Sequence, residues 1–266
     1  MTLNSPYRLA VVGGGNMGAA LIGGLLNAGW LASDMAVVEV LASRAEQVRA
    51  MFPGVTVTDA VPSCSAAVIA VKPPDVAAAC SVVAAAGATR ILSIAAGIPL
   101  AALQAAAGSK VAVVRAMPNT PALVGEGAAA ISAGAAANDD DMVWAEEILG
   151  AVGTVVRVPE AELDAVTGLA GSGPAYLFLV AESLIAAGVA AGLSQEISES
   201  LVTQLFVGSA ALLQARGEPA ELRKMVTSPG GTTAAGLRVL DDNGVRDAFL
   251  AAVLAAKARS IELGKS

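Results

Sequence analysis

The sequence VVGGGNMG, residues Val11–Gly18, decides how the N-terminal half of this chain is interpreted. Its glycines form a G-x-G-x-x-G pattern directly after a β-branched run and directly before a helical run. Such glycines permit a tight turn and a close backbone approach to a pyrophosphate, and the helix start supplies N–H donors. A turn that only needs small residues can show the same pattern, but the strand–turn–helix context favours the first interpretation. The stretch predicts a dinucleotide-binding turn made of Gly13, Gly15, Asn16, Met17 and Gly18.

The first half of the chain alternates short strand-like runs with helical runs. The predicted strands are Tyr7–Val12, Met35–Val40, Ala66–Lys72, Arg90–Ala96, Lys110–Pro118, Gly127–Ala133 and Gly153–Val158. The helices predicted among them are Met17–Ala28, Arg44–Met51 and Asp139–Leu149. This alternation predicts a largely parallel sheet that is covered by helices on both faces.

The second half contains no convincing strand. Its predicted helices are Ala161–Gly192, Ser194–Arg216, Pro219–Thr227, Thr232–Asn243 and Gly244–Leu263. We therefore expect an α/β domain over residues 1–159 and an all-α domain over residues 160–266, with the boundary near Pro159. Helices rich in small residues, as these are, pack closely against one another.

The composition excludes several classes of function. The 266 residues are 55% hydrophobic but only 3% aromatic, and the net charge of −7 argues against a nucleic-acid partner. The longest uncharged window, Ile91–Ser109, is broken by glycine and proline, so we expect no membrane span. No basic leader precedes an apolar core, so a cytoplasmic location is expected. The chain has no histidine, and Cys64 and Cys80 are expected to be reduced structural thiols, so no metal site is predicted.

Two residues near the end of the second predicted strand give conflicting signals about the cofactor. Glu39 stands where an acid hydrogen-bonds the adenosine ribose and disfavours a 2′-phosphate, which would select NADH. Ser43 and Arg44 follow, and such a pair can hold the 2′-phosphate of NADPH. A third interpretation, in which Glu39 and Arg44 only pair on the surface, also stays open.

Three further strand ends carry small or turn-forming residues, in AVKPPD, AAGIP and RAMPNTP. Ligands of open parallel sheets bind at the carboxyl ends of the strands, so these segments are predicted to line the cofactor path. The residues concerned are Ala70, Val71, Lys72, Pro73, Ala95, Ala96, Gly97, Met117 and Asn119. For Lys72 and Asn119, capping of loop ends through backbone hydrogen bonds is an alternative.

The glycines of TGLAGSGPAYLFLV, Thr167–Val180, match a helix that carries a catalytic lysine in several hydroxyacid dehydrogenases, but Leu177 occupies the lysine position. Without that lysine or any histidine, oxidation of an alcohol lacks an evident base. A reaction that needs little proton transfer from the enzyme fits better.

The segment SPGGTT, Ser228–Thr233, joins two predicted helices. Gly230 and Gly231 allow successive backbone N–H groups to converge at a helix start, which makes a site for a carboxylate. Simple capping of that helix by Ser228 or Thr232 is the alternative.

Six motifs in order resemble the pyrroline-5-carboxylate reductase family: VVGGGNMG, AVKP, SIAAGIP, RAMPNTPALVGEG, GLAGSGPAYLFLVAE and LRKMVTSPGGTTAAGLRVLDDNGVRDAF. The similarity runs from about residue 8 to residue 263, and the last motif is the most specific. It implies a Rossmann-type parallel-sheet domain and an all-α dimerisation domain, with dimers that assemble further into decamers. It also implies reduction of 1-pyrroline-5-carboxylate to L-proline, the last step of proline biosynthesis, by NADPH or NADH.

The resemblance also implies roles for single residues. Gly231 and the backbone N–H groups of Thr232 and Thr233 hold the substrate carboxylate, and the Thr233 hydroxyl, the catalytic group, hydrogen-bonds the ring nitrogen. Glu160 matches an acid near the substrate, although Glu162 and Asp164 lie close by. A related imine reductase and a non-catalytic NAD(P)-binding scaffold are the alternative functions.

Overall fold

The computed structural model describes residues 7–264; residues 1–6 and 265–266 of the two predicted domains lie outside it. The strands are β1 (Leu9–Val12), β2 (Met35–Val38), β3 (Thr56–Thr58), β4 (Ala66–Ile69), β5 (Arg90–Ser93), β6 (Ala112–Met117), β7 (Gly127–Ala133) and β8 (Gly153–Arg157). They form one sheet in the order β3-β2-β1-β4-β5-β6-β7-β8. Neighbours from β3 to β6 pair in parallel, and β7 pairs antiparallel with β6 and parallel with β8. The predicted parallel sheet is confirmed.

The α-helices are α1 (Asn16–Asn27), α2 (Ala42–Met51), α3 (Val76–Ala85), α4 (Leu100–Ala107), α5 (Asp139–Gly150), α6 (Leu163–Val166), α7 (Gly173–Ala190), α8 (Gln195–Arg216), α9 (Pro219–Met225), α10 (Thr232–Asp242) and α11 (Val245–Leu263). Short 3₁₀ helices span Ala32–Asp34, Pro73–Asp75, Thr120–Val124 and Glu160–Glu162, and a π-helical turn spans Thr167–Gly171. The strand β3 was not predicted, because TVT is three residues long and only half-buried.

The sheet separates two hydrophobic layers, as a parallel sheet requires. Leu9 and Val11 of β1 belong to one cluster, which includes side chains of α1 and α5. Ala10 and Val12 belong to the other, which includes side chains of α3 and α4. Because neighbouring residues of a strand point to opposite faces, one short apolar strand contributes to both layers.

The two cysteines are buried and free, on the side of the sheet covered by α3 and α4. Burial raises the pKa of Cys64 and of Cys80 to about 11. Both thiols therefore stay protonated near neutral pH, in agreement with a structural role.

The chain divides into two compact units by its internal contacts: residues up to Ser172 together with those from Leu254 onwards, and Gly173–Val253. This division by contacts does not coincide with the predicted domain boundary near Pro159, and that boundary stays a prediction. The last part of α11 belongs to the first unit, and this matters for the site described below.

In the second unit, α7 and α8 approach each other closely. A Cβ on Gly188 would lie 2.7 Å from the Oγ of Ser198, which is 1% exposed. Elsewhere on α7 and α8, large apolar side chains are exposed, among them Leu177, Phe178, Leu201 and Leu205. Such an apolar surface marks an interaction site.

One helical run among the described residues, Glu160–Ala190, is long and apolar enough to cross a membrane. Its most apolar window has a mean hydropathy of 1.6, and none of that window is buried. Length and composition alone do not distinguish a membrane span from a helix that another protein surface covers.

Helix α1 supplies a matched pair of substitutions. A Cβ on Gly24 would lie 2.6 Å from the backbone oxygen of Ala151 and 2.3 Å from Val152 Cγ1, whereas a Cβ on Gly23 would make only an ordinary 3.4 Å contact with Phe52. We expect Gly24→Ala to destabilise the fold by about 1–3 kcal/mol. Gly23→Ala should stabilise it by roughly 0.5–1 kcal/mol, because glycine disfavours a helix interior.

The midpoint of thermal unfolding, measured by circular dichroism, checks this pair. A lower midpoint for Gly24→Ala and an unchanged or higher midpoint for Gly23→Ala are expected. Equal shifts for both variants would contradict the close packing at Gly24.

Candidate active site

The residues predicted to bind the cofactor lie together at the carboxyl edge of the parallel strands. Glu39 follows the end of β2, Ala70–Pro73 follow β4, and Ala95–Gly97 lie just beyond β5. Met117 is the last residue of β6, and Asn119 is two residues further on. The glycine turn lies between β1 and α1. The strand register therefore places segments that are distant in sequence along one edge of the sheet.

Two glycines of this turn are required by close packing of the backbone. Gly13 has φ +107°, and a Cβ there would lie 2.5 Å from the carbonyl oxygen of Ala70. A Cβ on Gly18 would lie 2.1 Å from the carbonyl oxygen of Gly13. Any side chain at either position would push β1, β4 and α1 apart.

Gly15 is different, because a Cβ there would meet nothing within 4 Å. It is the N-cap residue of α1, its φ is −62°, and it makes no side-chain cap. No packing contact among the described residues explains the glycine, while the first N–H groups of α1 point out of the turn. An open position in front of free helix N–H groups is what a bound pyrophosphate requires. The turn therefore fits a dinucleotide.

The Gly14 peptide lies between Glu39 and Arg44. The Gly14 N–H donates to Glu39 Oε2 at 3.0 Å, and Arg44 Nε donates to the Gly14 carbonyl at 2.6 Å. The second oxygen, Glu39 Oε1, accepts from the N–H of Leu41 at 2.9 Å. Thus Glu39 and Arg44 both hold the glycine turn, rather than simply pairing on the surface.

Asn119 links β7 to the π-helical turn. Its Oδ1 accepts from the Ala128 N–H at 2.8 Å, and its Nδ2 donates to the carbonyl of Ala170 at 3.1 Å. A Cβ on Gly171 would lie 2.4 Å from Met117 Cε, so the turn packs tightly on the end of β6. In this structure the Asn119 side chain therefore binds backbone groups, which is the alternative considered from the sequence. Lys72 is exposed at the start of the next turn.

Glu160 belongs to a partly buried charged cluster that was not predicted. Its Oε1 accepts from the backbone N–H of Leu100 at 2.6 Å and from Arg115 Nη1 at 3.0 Å. Arg115 is 7% exposed, and its Nη2 lies 4.0 Å from Asp164 Oδ1. Asp164 in turn accepts from Ser260 Oγ at 2.6 Å. A lone arginine in the apolar strand β6 was the available signal, since a buried cation needs carboxylate partners.

The segment Ser228–Thr233 forms a tight turn and then starts α10. The N–H of Gly231 donates to the Ser228 carbonyl at 3.1 Å, with Pro229 second in the turn and Gly230 third at φ +72°. A positive φ at the third position of such a turn favours glycine. Gly231 is then the N-cap of α10.

No side chain of the described residues caps α10. Capping by Ser228 or Thr232, the alternative considered from the sequence, is therefore not what the structure contains. The Thr232 and Thr233 N–H groups belong to the first turn of the helix, where donors have no partner within the helix. A cluster of metal-ligating side chains is also absent from residues 7–264.

Comparisons with known proteins assign both parts of the chain. Residues 160–263 match the family model for pyrroline-5-carboxylate reductase dimerisation. Residues 8–97 match the model described as NADP oxidoreductase, coenzyme F420-dependent. The first match covers the helical region, and the second covers the glycine turn and strands β1–β5.

Relatives of known sequence or structure cover nearly the whole chain. It is 41% identical to the pyrroline-5-carboxylate reductase of Mycobacterium tuberculosis, with 96% of each chain covered. The structure of a pyrroline-5-carboxylate reductase from Coxiella burnetii superposes with a TM-score of 0.91 at 31% identity, covering 98% of this chain and 100% of that one. The Plasmodium falciparum pyrroline carboxylate reductase with NADP bound superposes with a TM-score of 0.84 at 30% identity, covering 98% and 99%. This chain therefore belongs to the pyrroline-5-carboxylate reductase family.

Proposed function

We propose that the chain reduces 1-pyrroline-5-carboxylate to L-proline with NADPH or NADH. The observation that carries this proposal is the start of α10, where a glycine turn precedes a helix without a side-chain cap. The open glycine turn before α1 supports the cofactor half of the reaction. Family membership and the relatives' shared activity agree with both halves.

The substrate carboxylate binds at the start of α10 in this proposal. The backbone N–H groups of Thr232 and Thr233 donate to its two oxygens, and Gly231 leaves the approach open. The partial positive charge of the helix N-terminus adds an attraction that does not depend on any ionisable side chain. This fits a chain without histidine.

The reaction itself needs orientation more than proton transfer. A bound nicotinamide would supply a hydride to the imine carbon of the protonated ring, and the C=N π electrons would become the lone pair of the ring nitrogen, which neutralises the iminium charge. The Thr233 hydroxyl hydrogen-bonds the ring nitrogen and fixes the ring relative to the carboxylate. Because the protonated iminium is already a strong electrophile, positioning and electrostatics account for most of the catalysis.

Glu160 contributes through its negative charge in this proposal. Its Oε1 accepts hydrogen bonds from Arg115 and from the Leu100 N–H, whereas no described residue donates one to Oε2. A carboxylate held in this way favours a cationic iminium over the neutral imine.

We also propose that NADPH is the better cofactor. Both oxygens of Glu39 already accept backbone N–H groups, so a ribose hydroxyl would have to share an oxygen that also holds the turn. Arg44 uses Nε and Nη1 for Gly14 and Gln47, which leaves its Nη2 for a phosphate near Ser43. Arginine suits this role because its charge is permanent and its donors are held in one plane.

The remaining parts of the proposal concern assembly and location. The exposed apolar side chains of α7 and α8 are covered by a second subunit in a homodimer, and dimers assemble further into a decamer. The same covered surface accounts for the apolar run Glu160–Ala190, and the enzyme is cytoplasmic.

The direct test mixes purified protein with 1-pyrroline-5-carboxylate and NADPH or NADH, and follows loss of absorbance at the nicotinamide band together with formation of proline. Turnover with proline as product supports the proposal. Turnover of other cyclic imines alone would favour a related imine reductase. Cofactor binding without turnover of any imine would favour a non-catalytic scaffold.

Removal of the Thr233 hydroxyl is the first specific prediction. Thr233→Ala should lower kcat/KM by roughly 10- to 150-fold, because a hydrogen bond to a charged group contributes about 1.5–3 kcal/mol. Thr233→Ser should retain most of the activity. Thr227→Ala is the matched control, since that hydroxyl donates only to the Arg223 carbonyl. Wild-type kinetics for Thr233→Ala would exclude the assigned role.

Gly15→Ala tests the cofactor turn without disturbing the fold. No protein atom lies within 4 Å of the added Cβ, so the unfolding midpoint should not fall. The dissociation constant for NADPH should rise by about 5-fold or more, because overpacking against the pyrophosphate costs about 1–3 kcal/mol. Gly150→Ala, which is equally open at the end of α5, should bind NADPH normally. Equal affinities for both variants would contradict the placement of the pyrophosphate.

Arg44→Ala tests the cofactor preference. The ratio of kcat/KM for NADPH to that for NADH should fall by about 10-fold or more, as expected for loss of a charge-assisted hydrogen bond. Arg49→Ala, on the same helix, loses only a bond to the Val57 carbonyl and should keep the ratio. A wild-type ratio in Arg44→Ala would show that the 2′-phosphate is held elsewhere.

A further inference from the structure

The end of α11 packs on one of the loops predicted to bind the cofactor. We define the terminal turn as residues Ser260–Gly264. A Cβ on Gly97 would lie 3.3 Å from Leu263 Cβ, and a Cβ on Gly264 would lie 3.0 Å from the Gly97 carbonyl oxygen. Gly97 is buried and has φ +78°. The terminal turn therefore packs closely against the Gly97 peptide.

A partly buried hydrogen bond from Ser260 helps to anchor the terminal turn. Ser260 is 4% exposed and donates from Oγ to Asp164 Oδ1 at 2.6 Å, although the two residues are far apart in sequence. The neighbouring residues Ile261 and Glu262 are exposed. A hydrogen bond to a partly buried carboxylate is stronger than a neutral, exposed one. Ser260 is thus the polar anchor of an otherwise exposed turn.

The anchor continues into the charged cluster below the loop. Asp164 faces Arg115, and Arg115 binds Glu160, which accepts the N–H of Leu100 at the start of α4. The loop between β5 and α4 is therefore held at two points. The terminal turn packs on Gly97, and Glu160 accepts the N–H of Leu100, where α4 begins. Gly97, Ser260 and the charged side chains of Asp164, Arg115 and Glu160 line a recess of about 360 Å³.

We propose that Ser260 and Asp164 are positioning residues for the nicotinamide cofactor. Their hydrogen bond docks the terminal turn against Gly97, and this fixes Ala95–Gly97 in the conformation that receives the cofactor. The inference rests on the proposed function, because it takes this loop as part of the cofactor path. It assigns a role to the C-terminal end of α11 beyond association between subunits.

The first test measures the dissociation constant for NADPH through the change in its fluorescence on binding. Ser260→Ala should raise this constant by roughly 3- to 10-fold, the size expected for substitutions within a coupled network. Ser260→Thr keeps the hydroxyl and should restore the affinity, since the recess beside it has room for a methyl group. Asp164→Asn keeps an acceptor oxygen and should remain closer to wild type than Asp164→Ala.

The kinetic parameters separate positioning from a general loss of stability. In Ser260→Ala the KM for NADPH should rise, while kcat at saturating NADPH and the KM for the imine stay within about 2-fold of wild type. Arg259→Ala, directly before the terminal turn, is the matched control, because its ion pair with Glu262 is exposed. Wild-type NADPH affinity in Ser260→Ala, or an equal change in Arg259→Ala, would overturn the proposal.

Wild-type protein is measured alongside, so that failure of the proposed function can be distinguished from failure of this inference. Absence of imine turnover by the wild type would count against the proposed function, whereas wild-type turnover with unchanged Ser260→Ala affinity would count against this inference alone. Hydrogen–deuterium exchange on the wild type provides a test that needs no variant. NADPH should protect both the loop 95–99 and the terminal turn 260–264, and protection confined to the loop would overturn the inference.

Discussion

The proposed recognition of cofactor and substrate depends on free backbone N–H groups at two helix starts. Helices α5 and α8 begin with side-chain caps, from Asn138 and Ser194. Helices α1 and α10 begin at Gly15 and Gly231, and no described side chain caps them. An uncapped helix start leaves N–H donors and a partial positive charge for an anion. In the proposed function, the start of α1 binds the cofactor's pyrophosphate and the start of α10 binds the substrate's carboxylate.

The surrounding structure keeps these helix starts in place. At the first, Gly13 and Gly18 allow β1, β4 and α1 to approach to contact distance, and Glu39 and Arg44 hold the Gly14 peptide. At the second, the turn at Gly230 brings the chain directly into α10. The side chains of Glu39, Asn119 and Glu160 each accept a hydrogen bond from a backbone N–H group. Such an arrangement suits a reaction that relies on orientation and on charge supplied by helix starts.

Patterns local in sequence predicted much of this structure. The glycine spacing predicted the turn before α1, the alternation of strands and helices predicted the parallel sheet, and SPGGTT predicted the turn before α10. Contacts between distant residues left no such pattern. Asp164 and Ser260 are an example, because nothing near either residue indicates the other. Likewise, Asn119 was placed near the cofactor, but its link from Ala128 to Ala170 depends on how β7 and the π-helical turn pack.

The measurement that tests the central claim most directly compares 1-pyrroline-5-carboxylate with 1-pyrroline, the same ring without the carboxylate. With NADPH saturating, the account predicts that kcat/KM for 1-pyrroline is lower by at least about 100-fold, since the charge-assisted hydrogen bonds at the start of α10 are lost. The free N–H groups of α10 would then be the groups that select the substrate. Similar kcat/KM values for the two imines would contradict the account, because the helix start would then contribute nothing to recognition.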